Sequence, residues 1–108
     1  MKINVLGTEY NVKVIDPESD EKLKDKRDGY TDTSIKECVI DNMLEESTDY
    51  KANLHEYRKV VIRHELIHAF LYESGLDDQS WATNEEMVDW FAIQAPKLLK
   101  AFKEADAL

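Results

Sequence analysis

The chain predicts an α+β fold, a small and mostly antiparallel sheet packed on two long helices. Three observations carry that expectation. Residues 2–6 and 10–15 alternate apolar and polar side chains, the period of a half-buried strand. Two later stretches, beginning near Leu54 and near Asn84, repeat apolar residues every three or four positions, the period of a helix. The 108 residues, finally, suffice for a single domain spanning 1–108 and are too few for two cores.

Each element follows from local signals. Lys2 to Leu6 and Tyr10 to Ile15 flank a Gly7-Thr8 punctuation, so a hairpin is expected, with Ile3 and Val5 in one apolar layer with Tyr10, Val12 and Val14. Asp16-Pro17 reads as an N-cap with proline at the first helical position, opening a short, highly charged helix over about 17–26. Asp28-Gly29 marks a break. Residues 30–41 then hold one or two short strands around a Thr31-Asp32-Thr33 turn, with β character clearest from Ser34 to Asp41. Ile35 and Ile40 differ in parity, so neither face is cleanly apolar. Cys38 reads as a small residue on a partly buried strand.

The polar stretch 45–53 is a loop. Asn53 three residues before Glu56 resembles a capping box and starts a helix near Leu54, and Gly75 supplies its stop, giving about twenty residues. That helix is apolar on most sides (Val60, Val61, Ile62, Leu66, Ile67, Phe70, Leu71) and is expected to be the central buried element. After a polar connector at 76–83, a second long helix starts at Thr83 or Asn84. Its Met87, Val88, Phe91, Ala95, Leu98 and Leu99 can pack on the first, and Pro96 should bend or restart it.

Composition excludes several classes of function. No apolar run approaches the roughly 18 residues of a membrane span, and the N-terminus carries no long apolar leader, so a cytoplasmic protein is the expectation. A net charge of −9 argues against a basic nucleic-acid-binding surface. One cysteine allows neither an intrachain disulfide nor a cysteine-rich metal site.

The chemistry concentrates at His64-Glu65-Leu66-Ile67-His68, which holds two of the three histidines. Four residues apart on a helix, His64 and His68 lie one turn above each other, and both imidazoles can reach one zinc ion at roughly 2.0–2.1 Å. Glu65 sits at the edge of that face, placed to touch a water on the metal rather than the metal itself. The bland alternative is a helix bearing two histidines and an unrelated glutamate. Against it stand the flanks, Val61-Ile62-Arg63 and Ala69-Phe70, whose apolar residues would dry the site and lock ligand rotamers.

Those flanks resemble the extended pattern of the zincin peptidases, and Asn84-Glu85-Glu86-Met87-Val88-Asp89 resembles the second motif, N-E-x-x-x-D, of the glutamate zincins. The resemblance implies that Glu85 is the third metal ligand and that Asp89 accepts the N–H of a ligating histidine. On a helix Glu85 and Asp89 share a face with Ala92, whereas Glu86, the reserve candidate for the ligand, is rotated by about 100°. Together with the element order, residues 29 to 95 are similar to small phage and mobile-element zinc peptidases related to the ImmA/IrrE group. There a strand precedes the HExxH helix, and a later helix carries a glutamate shortly before Phe-Ala, here Phe91-Ala92. Met87 departs from that group, where a second acidic residue is frequent, and the chain is shorter and ends without an obvious C-terminal lobe.

The resemblance implies a minimal zincin-like domain that hydrolyses peptide bonds, with Zn2+ as cofactor and a peptide or protein, such as a regulatory repressor, as substrate. Glu65 would act as general base toward a metal-activated water. Substrate would add to the edge of the strand at residues 34–40, the upper rim of the cleft. Related peptidases add a Tyr or His that stabilises the oxyanion. His55 falls on the opposite helix face, Tyr72 is one turn past His68, and Tyr57 lies two turns away, so none is a clear counterpart. A zinc-binding regulatory module with little or no proteolysis is therefore the second reading. A purely structural zinc site is disfavoured, since such sites are usually cysteine-rich and four-coordinate.

Overall fold

The computed structural model describes residues 1–44, 53–76 and 80–108. Four strands and two 20-residue helices make an α+β fold, as the alternation and helical periods require. Strands β1 (Lys2–Val5) and β2 (Thr8–Ile15) form the antiparallel hairpin, with Val5 opposite Thr8. Leu6 and Gly7 make a two-residue turn at φ 52° and 91°, both left-handed, which suits the twist of the flanking strands. Val5, Tyr10 and Val12 are fully buried, but Val14 is 41% exposed, so the expected apolar layer ends one residue pair early.

The expected helix over 17–26 divides in two. Asp16 caps a 3-10 turn at Pro17–Ser19, and Asp20 then captures the N–H groups of Lys22 and Leu23 and restarts the chain as α1 (Glu21–Lys24). A second Asx cap three residues after a proline start is what breaks the longer helix.

Strands β3 (Gly29–Asp32) and β4 (Glu37–Asp41) pair antiparallel, and β4 pairs parallel with β2, giving the order β1-β2-β4-β3. The turn between them is 33–36 rather than 31–33: Asp32 accepts from the Ser34 N–H at 3.0 Å, and Lys36 takes φ 58°. Ile35 is therefore an exposed turn residue, which explains its parity mismatch with Ile40. The cleft rim also moves. β4 has neighbours on both sides, so it offers no edge; β1 and β3 are the edge strands, and β3 is the one that lines the cleft. Cys38, in that internal strand, is completely buried.

Helix α2 (Leu54–Glu73) begins at Asn53, whose side chain accepts from the Glu56 N–H, and ends where Gly75 takes φ 84°. Its stripe Val61, Glu65, Ala69 is buried; Val61 and Ala69 join Val5, Tyr10, Val12, Cys38 and Ile40 in one apolar cluster. Ile62 and Leu66 are only partly buried and Phe70 is 40% exposed, so α2 is less enclosed than its composition suggests. Thr31 faces α2, while its neighbour Tyr30 reaches the Asp20 carboxylate at the start of α1, so α1 lies against the opposite face of the sheet.

Helix α3 (Glu85–Glu104) starts at Asn84, which caps the Met87 N–H, and buries Val88 and Ala92. Met87, Phe91 and Leu99 stay 38%, 40% and 50% exposed, so the enclosed face of α3 is narrower than its apolar pattern. The helix runs through Pro96 without restarting. Proline leaves the Ala92 carbonyl without its helical donor, and Arg63 Nε of α2 takes that place at 2.5 Å. The loop expected at 45–53 lies outside the described residues except for Asn53, and so do residues 77–79 of the connector. Among the described residues no helix is long and apolar enough to cross a membrane.

Candidate metal centre

Helical spacing and the docking of α3 bring three donor atoms together. His64 Nε2 and His68 Nε2 are 3.1 Å apart, and Glu85 Oε1 lies 3.0 Å from the first and 3.2 Å from the second. These are near the edges of a tetrahedron, about 3.3–3.4 Å for metal bonds of roughly 2.0–2.1 Å. The two imidazoles come from successive turns of α2 and the carboxylate from the first turn of α3. Among the described residues these three form the group that can hold a metal ion; Glu86 is not part of it.

Asp89 fixes the chemistry of the first ligand. Its Oδ1 lies 2.7 Å from His64 Nδ1, so that nitrogen donates and Nε2 is left with its lone pair toward the cluster. A bare imidazole nitrogen 3.0 Å from a carboxylate oxygen repels it unless a cation or proton stands between them. Two imidazoles and one carboxylate are a donor set suited to a borderline divalent ion such as zinc, rather than to the all-oxygen preference of magnesium or calcium.

Glu65 is set apart from the three. It is 7% exposed, the one charged residue in the core of the described structure. Its Oε1 accepts the Thr31 hydroxyl at 2.7 Å, while among the described residues Oε2 has no hydrogen-bond partner and, not being a buried unsatisfied atom, stays accessible in the cleft that Glu65 lines. Thr31 Oγ1 is also 2.9 Å from the Glu65 carbonyl, and the Cys38 thiol donates to the same carbonyl at 3.7 Å. Burial pushes the Cys38 thiol above its ordinary range, which keeps it as an S–H donor rather than a nucleophile.

The cluster opens into a cleft of about 790 Å³ beneath β3, continued on its other side by a hollow of about 480 Å³. Both parts touch Arg27, Gly29, His64 and Glu65. Gly29 permits this close approach. A Cβ there would stand 3.0 Å from both the Val39 carbonyl and Val61 Cγ1 and 3.1 Å from Ile40 Cδ1, so a side chain would require β4 and α2 to give by a few tenths of an ångström.

His64, Glu65, His68, Glu85 and Asp89, all singled out from sequence, thus stand in one place. Thr31, Gly29 and Arg27 were not singled out. A lone threonine in a Thr-Asp-Thr run and a glycine read as a chain break carry no sequence signal for a role beside a helix thirty residues away. Tyr72 lines the cleft, half-exposed, with Lys36 Nζ 4.9 Å above its ring. The Tyr57 hydroxyl donates to Asp28 instead, and His55 is exposed.

No family model matches the chain, and comparison with curated proteins and with solved structures returned no match.

Proposed function

We propose that the chain is a zinc-dependent metallopeptidase, built as a minimal relative of the glutamate zincins and akin to the ImmA/IrrE group. The observation that carries this reading is the near-equilateral set of His64 Nε2, His68 Nε2 and Glu85 Oε1, with the open Glu65 carboxylate one residue from the first ligand. Three protein ligands leave a fourth position free, the mark of catalytic rather than structural sites. When bound, zinc supplies Lewis acidity, polarising a carbonyl and bringing the pKa of water in its open position to about 7.

The side chains do the rest. His64, His68 and Glu85 hold the ion. Asp89 keeps His64 in the tautomer that presents Nε2. Glu65 Oε2 takes the proton of the attacking water and carries it to the departing amine, while Thr31 holds Oε1. The free edge of β3, lining the cleft beside Glu65, supports a further element of the proposal. An extended peptide pairs with that edge and passes its carbonyl across the cluster.

Glu65→Gln separates this reading from a zinc-binding module that cleaves nothing. The variant keeps the ligands and the hydrogen-bonding shape but cannot take a proton. It should bind one zinc per chain by metal analysis and lose hydrolysis of a casein-derived peptide mixture seen with the wild type. Wild-type protein that holds zinc yet cleaves no faster than Glu65→Gln would refute the peptidase reading.

A further inference from the structure

Attack on a peptide carbonyl leaves negative charge on its oxygen, and that charge needs a fixed donor beyond the metal. The cleft makes the need sharper, because Glu65, Glu85, Asp28 and Asp89 all line it with carboxylates. Among the described residues Arg27 is the one arginine or lysine lining either part. It lines both parts, as do Gly29, His64 and Glu65, so it borders the stretch of cleft that these residues share. Its guanidinium has no ion-pair or hydrogen-bond partner among the described residues.

The backbone that launches it is pinned. The Asp28 carbonyl accepts the Asp41 N–H at 2.9 Å, and the Asp28 carboxylate takes the Tyr57 hydroxyl. A guanidinium offers a planar fork of N–H donors suited to an oxyanion.

We infer that Arg27 is the oxyanion-stabilising residue of this site, a role for which sequence offered only Tyr72, Tyr57 and His55. The inference rests on the peptidase reading. As the water oxygen bonds to the carbonyl carbon, the C=O π pair moves onto oxygen and Glu65 takes the water proton. Arg27 N–H groups meet that oxygen until the pair returns, the C–N bond breaks and the amine leaves with the proton. A cation at the reacting centre meets charge common to every peptide, whereas an anchor for a substrate carboxylate belongs at one end of the groove.

Arg27→Gln and Arg27→Lys, compared with wild type in zinc-loaded protein, test this. In Arg27→Gln, kcat should fall about 100-fold for every peptide cleaved, with KM within about twofold and zinc content unchanged. Affinity for a phosphinic peptide, whose tetrahedral anion mimics the charged oxygen, should fall by a similar factor in calorimetry, and Arg27→Lys should recover part of both losses. Unchanged turnover and phosphinate affinity in Arg27→Gln would overturn the assignment. So would a loss confined to KM for peptides bearing an acidic side chain or a free C-terminus, which would make Arg27 a carboxylate anchor. Arg27-dependent phosphinate binding without any hydrolysis by wild type would instead remove the peptidase reading, and with it the catalytic role, while leaving the anion contact in place.

Discussion

Thr31 decides how a buried carboxylate is tolerated next to two metal-binding imidazoles. Glu65 has only two routes to satisfy its charge, the Thr31 hydroxyl on Oε1 and the cleft on Oε2. Removing the hydroxyl leaves a carboxylate oxygen of the buried Glu65 without a donor, which costs about 1–3 kcal/mol. Thr31→Val keeps the shape and the β-branch, so its urea midpoint should report that loss alone, while Thr31→Ser should restore it. Zinc content should stay at one per chain in both, since neither residue touches the ligand triangle. An unchanged midpoint in Thr31→Val would show that water replaces the hydroxyl and that Thr31 holds nothing.

At the scale of elements, the clasp between α2 and the sheet is polar. Glu73, the last residue of α2, accepts from Lys36 Nζ at 2.9 Å, the Tyr10 hydroxyl at 2.8 Å and Thr8 Oγ1 at 3.0 Å. The Lys36 contact, then the Tyr10 hydroxyl, hold the Glu73 carboxyl below its ordinary 4.5, and burial together with Glu73 pushes the Tyr10 phenol up. A carboxyl whose folded value is depressed stabilises the fold above its unfolded value. That contribution is lost as pH falls through the folded one. The clasp should therefore work fully at pH 7 and fade below about pH 4.5. Urea midpoints of wild type and Glu73→Gln should differ at pH 7 and converge toward pH 3. A gap that widens in acid would contradict the assignment.

The same scale shows what could be read beforehand. Asn53 and Glu56, Asn84, and Gly75 mark the ends of α2 and α3 through local hydrogen bonds that sequence spacing alone reveals. Strand edges are different. Whether β3 or β4 carries the free edge depends on β4 inserting beside β2, a pairing between Val12 and Cys38 that no local pattern encodes. Ile35 misled for a related reason, since an exposed apolar residue in a turn looks like part of a strand until Asp32 is seen to cap Ser34. That α3 runs through Pro96 without restarting was likewise illegible, because the compensating donor, Arg63, comes from another helix.

For the whole molecule, the metal ligands span the junction of α2 and α3. The fully buried contribution of α3 is only Val88 and Ala92, and much of its remaining apolar surface, including Trp90, Ile93 and Phe102, is exposed. With so small an enclosed surface on α3, a cation shared by His64, His68 and Glu85 would add directly to the Asp89 and Arg63 contacts that seat it on α2. An ion bound only when both helices are docked stabilises the folded state by mass action, about 4 kcal/mol at a thousandfold excess over its dissociation constant. For a domain of this size about 1 kcal/mol corresponds to roughly 4–8 °C. Zinc added to metal-stripped wild type should thus raise the melting temperature by about 15 °C or more, and amide exchange in the first half of α3 should slow with it. His68→Ala removes one ligand and keeps α3 itself untouched, so its melting temperature should respond little to zinc. An equal zinc-induced rise in His68→Ala would mean that the ion binds elsewhere on this acidic surface and that the triangle of His64, His68 and Glu85 does not join the two helices.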